Sequence, residues 1–130
     1  SMPACHTINV VMSPNGLNAP HAFAAGYDMR TKKSVKETFG LFEERVGMDR
    51  LKIIHLNDAK GELGSRRDRH YHIGLGEIGE EGMAAAAGTA DKNGIPLILE
   101  TPIDEKRDDV GNIARARELL AAGGAAKART

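Results

Sequence analysis

Two nearly continuous apolar runs, residues 51–56 (LKIIHL) and 95–100 (IPLILE), constrain this chain more than any other feature. Each is of strand length and leaves almost no position to face water, the pattern of a parallel strand covered on both sides. A third run, residues 6–12 (HTINVVM), is rich in β-branched side chains, and Ser13, Pro14, Asn15 and Gly16 after it favour a turn. The segments between the runs follow a helical period instead. Ser34-Val35-Lys36-Glu37 has the form of a capping box, and Val35, Phe39, Phe42 and Val46 make one apolar stripe that Gly47 is placed to end. A long polar loop is expected over residues 57–78, then an Ala-rich helix near residues 80–90 and a turn at Asp91-Lys92-Asn93-Gly94. A last helix over residues 108–122 puts Val110, Ile113, Ala116 and Leu120 on one side, and the Gly123-Gly124 pair opens a flexible tail over 123–130.

Strand and helix alternate three times, which predicts an α/β fold with parallel strands joined by right-handed crossovers. A closed eight-unit α/β barrel takes about 250 residues. The 130 residues here supply three units, so a barrel of that kind is present only in part.

Composition narrows the function classes. With 41% hydrophobic side chains the chain is the size of one domain. Its 28% charged residues balance to a net charge of zero, so no global basic field draws in a polyanion and any nucleic-acid contact must be local. The single cysteine, Cys5, excludes an internal disulfide framework and fits a reducing, cytoplasmic setting. No apolar run approaches the roughly 18 residues of a membrane span, so no membrane association is expected.

Side chains that could bind metal close the second and third strands. His55 ends LKIIHL and Glu100 ends IPLILE, at the edge where parallel α/β folds bind ligands. Taken alone, His55 reads equally as a packed histidine bonded to a carbonyl. A carboxylate closing an apolar strand must be paired, protonated or metal-bound to offset its desolvation. In Asp68-Arg69-His70, an extended backbone turns positions 68 and 70 to the same side, so carboxylate and imidazole can grip one borderline first-row ion while Arg69 points away. His21 follows the first strand, and His21, Asp68 and His70 together make a three-ligand set with an open position for water or substrate.

These residues also stand in a longer series. His21-Ala22-Phe23-Ala24-Ala25-Gly26-Tyr27-Asp28, His55-Leu56-Asn57-Asp58-Ala59-Lys60, Gly64-Ser65-Arg66-Arg67-Asp68-Arg69-His70, His72-Ile73-Gly74 with Gly76 and Ile78-Gly79, and Leu97-Ile98-Leu99-Glu100-Thr101-Pro102 resemble, in order and spacing, the C-terminal motifs of the endonuclease IV family. The likeness runs from about residue 17 to about 120. It implies a TIM barrel, here only its C-terminal three βα units over residues 21–122, whose rim holds three zinc ions. The activity implied is hydrolysis of the phosphodiester 5′ to an abasic site in DNA, a step of base excision repair. By position, His21, Asp68 and His70 match the protein ligands of one zinc, while His55 and Glu100 match two ligands of the paired centre. Asn57, Asp58 and Arg69 are placed to steady those ligands or touch substrate.

Residues 1–20 depart from the family pattern: Asn18-Ala19-Pro20-His21 stands where family members carry Asp-Thr-Cys-His, and Asn18 is a neutral, weaker donor than the aspartate. The family's N-terminal half, which brings two histidines, a bridging glutamate and the loops that wedge into DNA, has no counterpart. The chain alone is thus expected to hold at most one metal tightly, zinc or alternatively manganese, and to cleave poorly. Two other readings compete. One is a non-catalytic zinc-binding half-barrel that self-associates or joins a partner completing the barrel; the other is a sugar isomerase or epimerase of the xylose-isomerase-like superfamily.

Overall fold

The computed structural model describes residues 12–13, 16–66 and 69–129. Most of the strand expected over 6–12, together with Pro14, Asn15 and Asp68, therefore lies outside the described residues. The main sheet contains β1 (Met12–Ser13), β2 (Gly16–Asn18), β3 (Ile53–His55) and β6 (Leu97–Ile98) in the order β1-β2-β3-β6. β1 runs antiparallel to β2, pairing Ser13 with Gly16. The other neighbours are parallel, with Asn18 opposite His55 and His55 opposite Ile98. Three consecutive strands thus end level and send their exits from one edge. A second, two-stranded antiparallel sheet joins β4 (Asp58–Ala59) to β5 (His70–Tyr71).

Helices α1 (Ala19–Ala24), α2 (Lys32–Arg45), α3 (Gly79–Lys92) and α4 (Asp109–Arg129) complete the chain, with a 3-10 turn at Met48–Arg50. Leu17, Ile54 and Leu56 from the sheet meet Phe23, Tyr27, Phe39, Phe42, Met83 and Ala87 in one core. Val35, Phe39 and Phe42 are buried as their spacing predicts, and Tyr27 stacks on Phe42 at 6.3 Å between ring centroids. Gly47 takes φ +97 just past α2, a conformation other residues rarely adopt. Among the described residues no helix is long and apolar enough to cross a membrane.

Four expectations need correction. The capping box lies one turn earlier: Thr31 Oγ1 accepts from Ser34 N at 3.0 Å and Ser34 Oγ accepts from Thr31 N at 3.0 Å, which starts the helix before Glu37. The segment 57–78 is not a simple solvated loop, since it contains β4 and β5 and buries Asn57, Asp58 and His72 completely. The run 95–100 is not a strand covered on both faces. Only Leu97 and Ile98 join the ladder, at the margin of the sheet among the described residues, and Ile98 is 40% exposed. Finally, α4 buries Asn112, Ala116 and Leu119 and turns Val110 (75%) and Ile113 (42%) to solvent. It also continues past Gly123-Gly124 to Arg129, where alanines resume a favourable helical run.

Candidate functional site

The level ends of β2, β3 and β6 decide what stands on the rim. His55 is the last residue of β3, and Glu100 lies two residues beyond β6. The ladder closes with Leu56 N donating to Ile98 O at 2.8 Å. The next donor, Glu100 N, goes instead to a side chain, Asn57 Oδ1, at 2.7 Å. This ends the strand and fixes the Glu100 backbone beside His55. Its carboxylate then accepts from His55 Nδ1 at 2.7 Å, and its carbonyl accepts from His70 Nδ1 at 3.1 Å. Glu100 is thus the meeting point of His55 and His70, which are 45 and 30 positions away in sequence. With an oxygen acceptor on each Nδ1, the Nδ1–H tautomer of either ring carries its lone pair on Nε2.

Asp58 works behind this rim. Its carboxylate accepts from the backbone N–H groups of Ala59 (2.8 Å), Gly74 (3.0 Å), Ile78 (2.9 Å) and Gly79 (3.1 Å). It therefore closes the loop from β5 onto the start of α3, whose own N-cap, Ile78, offers no side-chain acceptor. Burial pushes the Asp58 carboxyl above the usual carboxylate range, against the downward pull of these donors. Gly76 is held against the same carboxylate. A Cβ there would lie 2.4 Å from Ala59 O and 2.6 Å from Asp58 Oδ1, so a larger residue requires one of them to shift.

The remaining predicted residues are placed as follows. His21 stands in α1, directly after β2, and Asn18 caps that helix by accepting from His21 N at 3.0 Å, so the Asn18 oxygen is committed to the backbone. Asp68 lies outside the described residues, and the three-residue set His21, Asp68 and His70 is incomplete without it. Among the described residues, no three His, Cys, Asp or Glu side chains converge closely enough to hold an ion by themselves. Arg69 is exposed, and its carbonyl accepts from Lys60 N at 2.9 Å. Asn57 touches the Glu100 backbone, and Asp58 the loop amides.

Sequence reasoning missed the residues that brace the rim. His72 is fully buried and bonds Asp104 Oδ1 through Nε2 at 2.8 Å and Asn112 Nδ2 through Nδ1 at 2.9 Å. Asn112 in turn accepts from Ile73 N at 3.0 Å and Arg107 Nη1 at 3.1 Å. The spacing of Asn112 with Ala116 and Leu119, which puts the three on one side of a helix, was the signal available. Two cations approach Tyr71 on β5: Lys60 Nζ stands 5.9 Å from its ring centroid and Lys106 Nζ 5.2 Å, and Lys106 donates to the Tyr71 hydroxyl.

Parallel strands that end level, with His55 closing β3 and Glu100 just beyond β6, are the rim of an α/β barrel segment, and comparison agrees. Residues 17–123 match the family described as xylose isomerase-like TIM barrel. The chain is 58% identical over 103 residues to a probable endonuclease 4 of Cenarchaeum symbiosum and 59% identical over 103 residues to that of Nitrosopumilus maritimus. In each case the match covers 79% of this chain and 37% of the relative, so the chain spans little more than a third of the curated relatives' length. The crystal structure of endonuclease IV from Thermus thermophilus superimposes with a TM-score of 0.71 at 35% identity, covering 82% of this chain and 38% of that one. The chain belongs to the endonuclease IV family and represents part of its barrel.

Proposed function

We infer that this chain is the C-terminal, metal-binding part of an endonuclease IV-type phosphodiesterase that hydrolyses DNA on the 5′ side of abasic sites. The observation that carries this reading is the convergence of His55 and His70 on Glu100 at the rim. Metal-ligating histidines typically donate one ring N–H to a carboxylate or backbone carbonyl, which orients the other nitrogen toward the ion. His70 has that arrangement through the Glu100 carbonyl, and the nitrogen and oxygen donors suit zinc or manganese. His21, Asp68 and His70 would hold one ion; His55 and Glu100 would hold part of a paired centre. Bound ions there would supply an activated water and neutralise charge on the phosphate. Lys60 and Lys106 at Tyr71 provide the local positive charge that a net-neutral chain needs to meet a DNA backbone.

Because the chain covers 37% of its relatives, two ligands are few for a paired centre, and weak turnover by the chain alone is the expected result. Incision of a duplex with one abasic analogue, with zinc or manganese added, tests this. Family-like turnover by pure 130-residue protein would overturn the weak-activity reading. Loss of metal binding in His70→Ala and Glu100→Ala is expected, and retention would overturn the site. A second reading, a non-catalytic zinc-binding half-barrel, is favoured by the exposed apolar side chains Ile98 on β6 and Val110 and Ile113 on α4. Elemental analysis with solution mass separates the two: about three zincs per assembly favours the enzyme, and about one favours the binding module.

A further inference from the structure

Glu100 is held from two sides: Asn57 grips its amide, and His70 grips its carbonyl. Beyond it, the chain passes through Thr101, Pro102 and Ile103, which is 70% exposed, before Asp104 meets His72. That contact is well defined chemically. Asn112 Oδ1 accepts from Ile73 N and Arg107 Nη1, so its Nδ2 is the end that faces His72 Nδ1. An amide NH2 group only donates, so His72 Nδ1 accepts, the ring proton is on Nε2, and Nε2 donates to Asp104 Oδ1. Asp104 also accepts from Lys106 N at 2.9 Å, and Arg107 Nη1 donates to Ile73 O at 2.7 Å. The segment after β5 is thereby tied to both the segment after Glu100 and the first turns of α4.

We propose that His72 is a positioning residue of the rim: clamped between Asp104 and Asn112, it holds the segment after Glu100 against β5 and so keeps the Glu100 carbonyl on His70. The consequence for ion binding rests on the reading of His70 as a ligand; the clamp itself does not. A His72 substitution risks the fold, because the ring is fully buried, whereas the Asp104 side chain is one-third exposed and can be changed without opening the core.

The test uses the 130-residue chain as wild type, Asp104→Ala and Asp104→Asn, the last keeping an oxygen for His72 Nε2–H. Long-range 1H–15N correlation of the imidazoles, without metal, is expected to show His70 as the Nδ1–H form in wild type and Asp104→Asn, and as a mixture of tautomers in Asp104→Ala. Cobalt(II) titration is expected to show affinity falling at least tenfold, with altered visible bands, in Asp104→Ala alone. An unchanged His70 tautomer in folded Asp104→Ala would overturn the proposal. So would Asp104→Asn behaving like Asp104→Ala, which would assign the effect to charge. Absence of cobalt binding by wild type would remove the metal reading only, and the imidazole spectra would still decide whether the clamp holds.

Discussion

The loop over residues 57–78 and the two elements β6 and α4 exchange the roles that their compositions suggest. The polar loop buries Asn57, Asp58 and His72 completely, while β6 and α4 expose Ile98, Val110 and Ile113. At Asp58 and His72 burial follows partners more than polarity. Asp58 is enclosed because four backbone donors surround it, and His72 because both ring nitrogens are matched. Ile98 stays out because no described strand pairs beyond β6.

The largest effect is therefore expected from a polar residue. Asp58→Ala strands several buried N–H groups, each costing about 1–3 kcal/mol, and should remove roughly 3–5 kcal/mol of stability in urea denaturation. A loss below about 1 kcal/mol would mean that water replaces the carboxylate and that the loop is not built on it. Ile54→Ala, at the centre of the sheet, is expected to cost roughly 2–5 kcal/mol, whereas Ile98→Ala on the same sheet should stay within about 0.5 kcal/mol. Equal costs would break the contrast between centre and flank. Gly76→Ala must move either Ala59 or the Asp58 carboxylate and is expected to cost about 1–3 kcal/mol, with the amide signals of residues 74–79 shifting together.

The smallest effect is a pH dependence. The Lys106 amide, and after it His72, hold the Asp104 carboxyl below the usual carboxylate range. A carboxyl depressed in the folded state contributes stability that is present above its unfolded value and lost as pH falls through the depressed one. Thermal melts of wild type against Asp104→Ala should thus converge only at pH below the ordinary aspartate range. Constant separation from neutral pH to strong acid would show that Asp104 carries no such linkage.

Much of the architecture was readable because it follows from periodicity. Val35, Phe39 and Phe42 announced their helix, and LKIIHL announced the central strand that carries His55. The series from His21 to Pro102 carries the family likeness by its residues alone. What escaped reading was local exchange of hydrogen bonds. β2 has only Gly16, Leu17 and Asn18, and such a strand exists because β3 offers it a parallel ladder. β4 and β5 are two residues each and owe their pairing to contacts closed around Asp58. The buried face of α4 was misjudged because Asn112, a polar residue, takes the inward position that Val110 and Ile113 seemed to claim.

One small substitution in the ladder has a consequence for how such a rim changes over time. Where the sheet would ordinarily offer a main-chain oxygen to the Glu100 amide, the acceptor is the Asn57 side-chain oxygen. A main-chain oxygen cannot be altered by mutation, but a side chain can. The seat of Glu100 is therefore encoded in one buried side chain, and a change at position 57 would alter how that carboxylate is held.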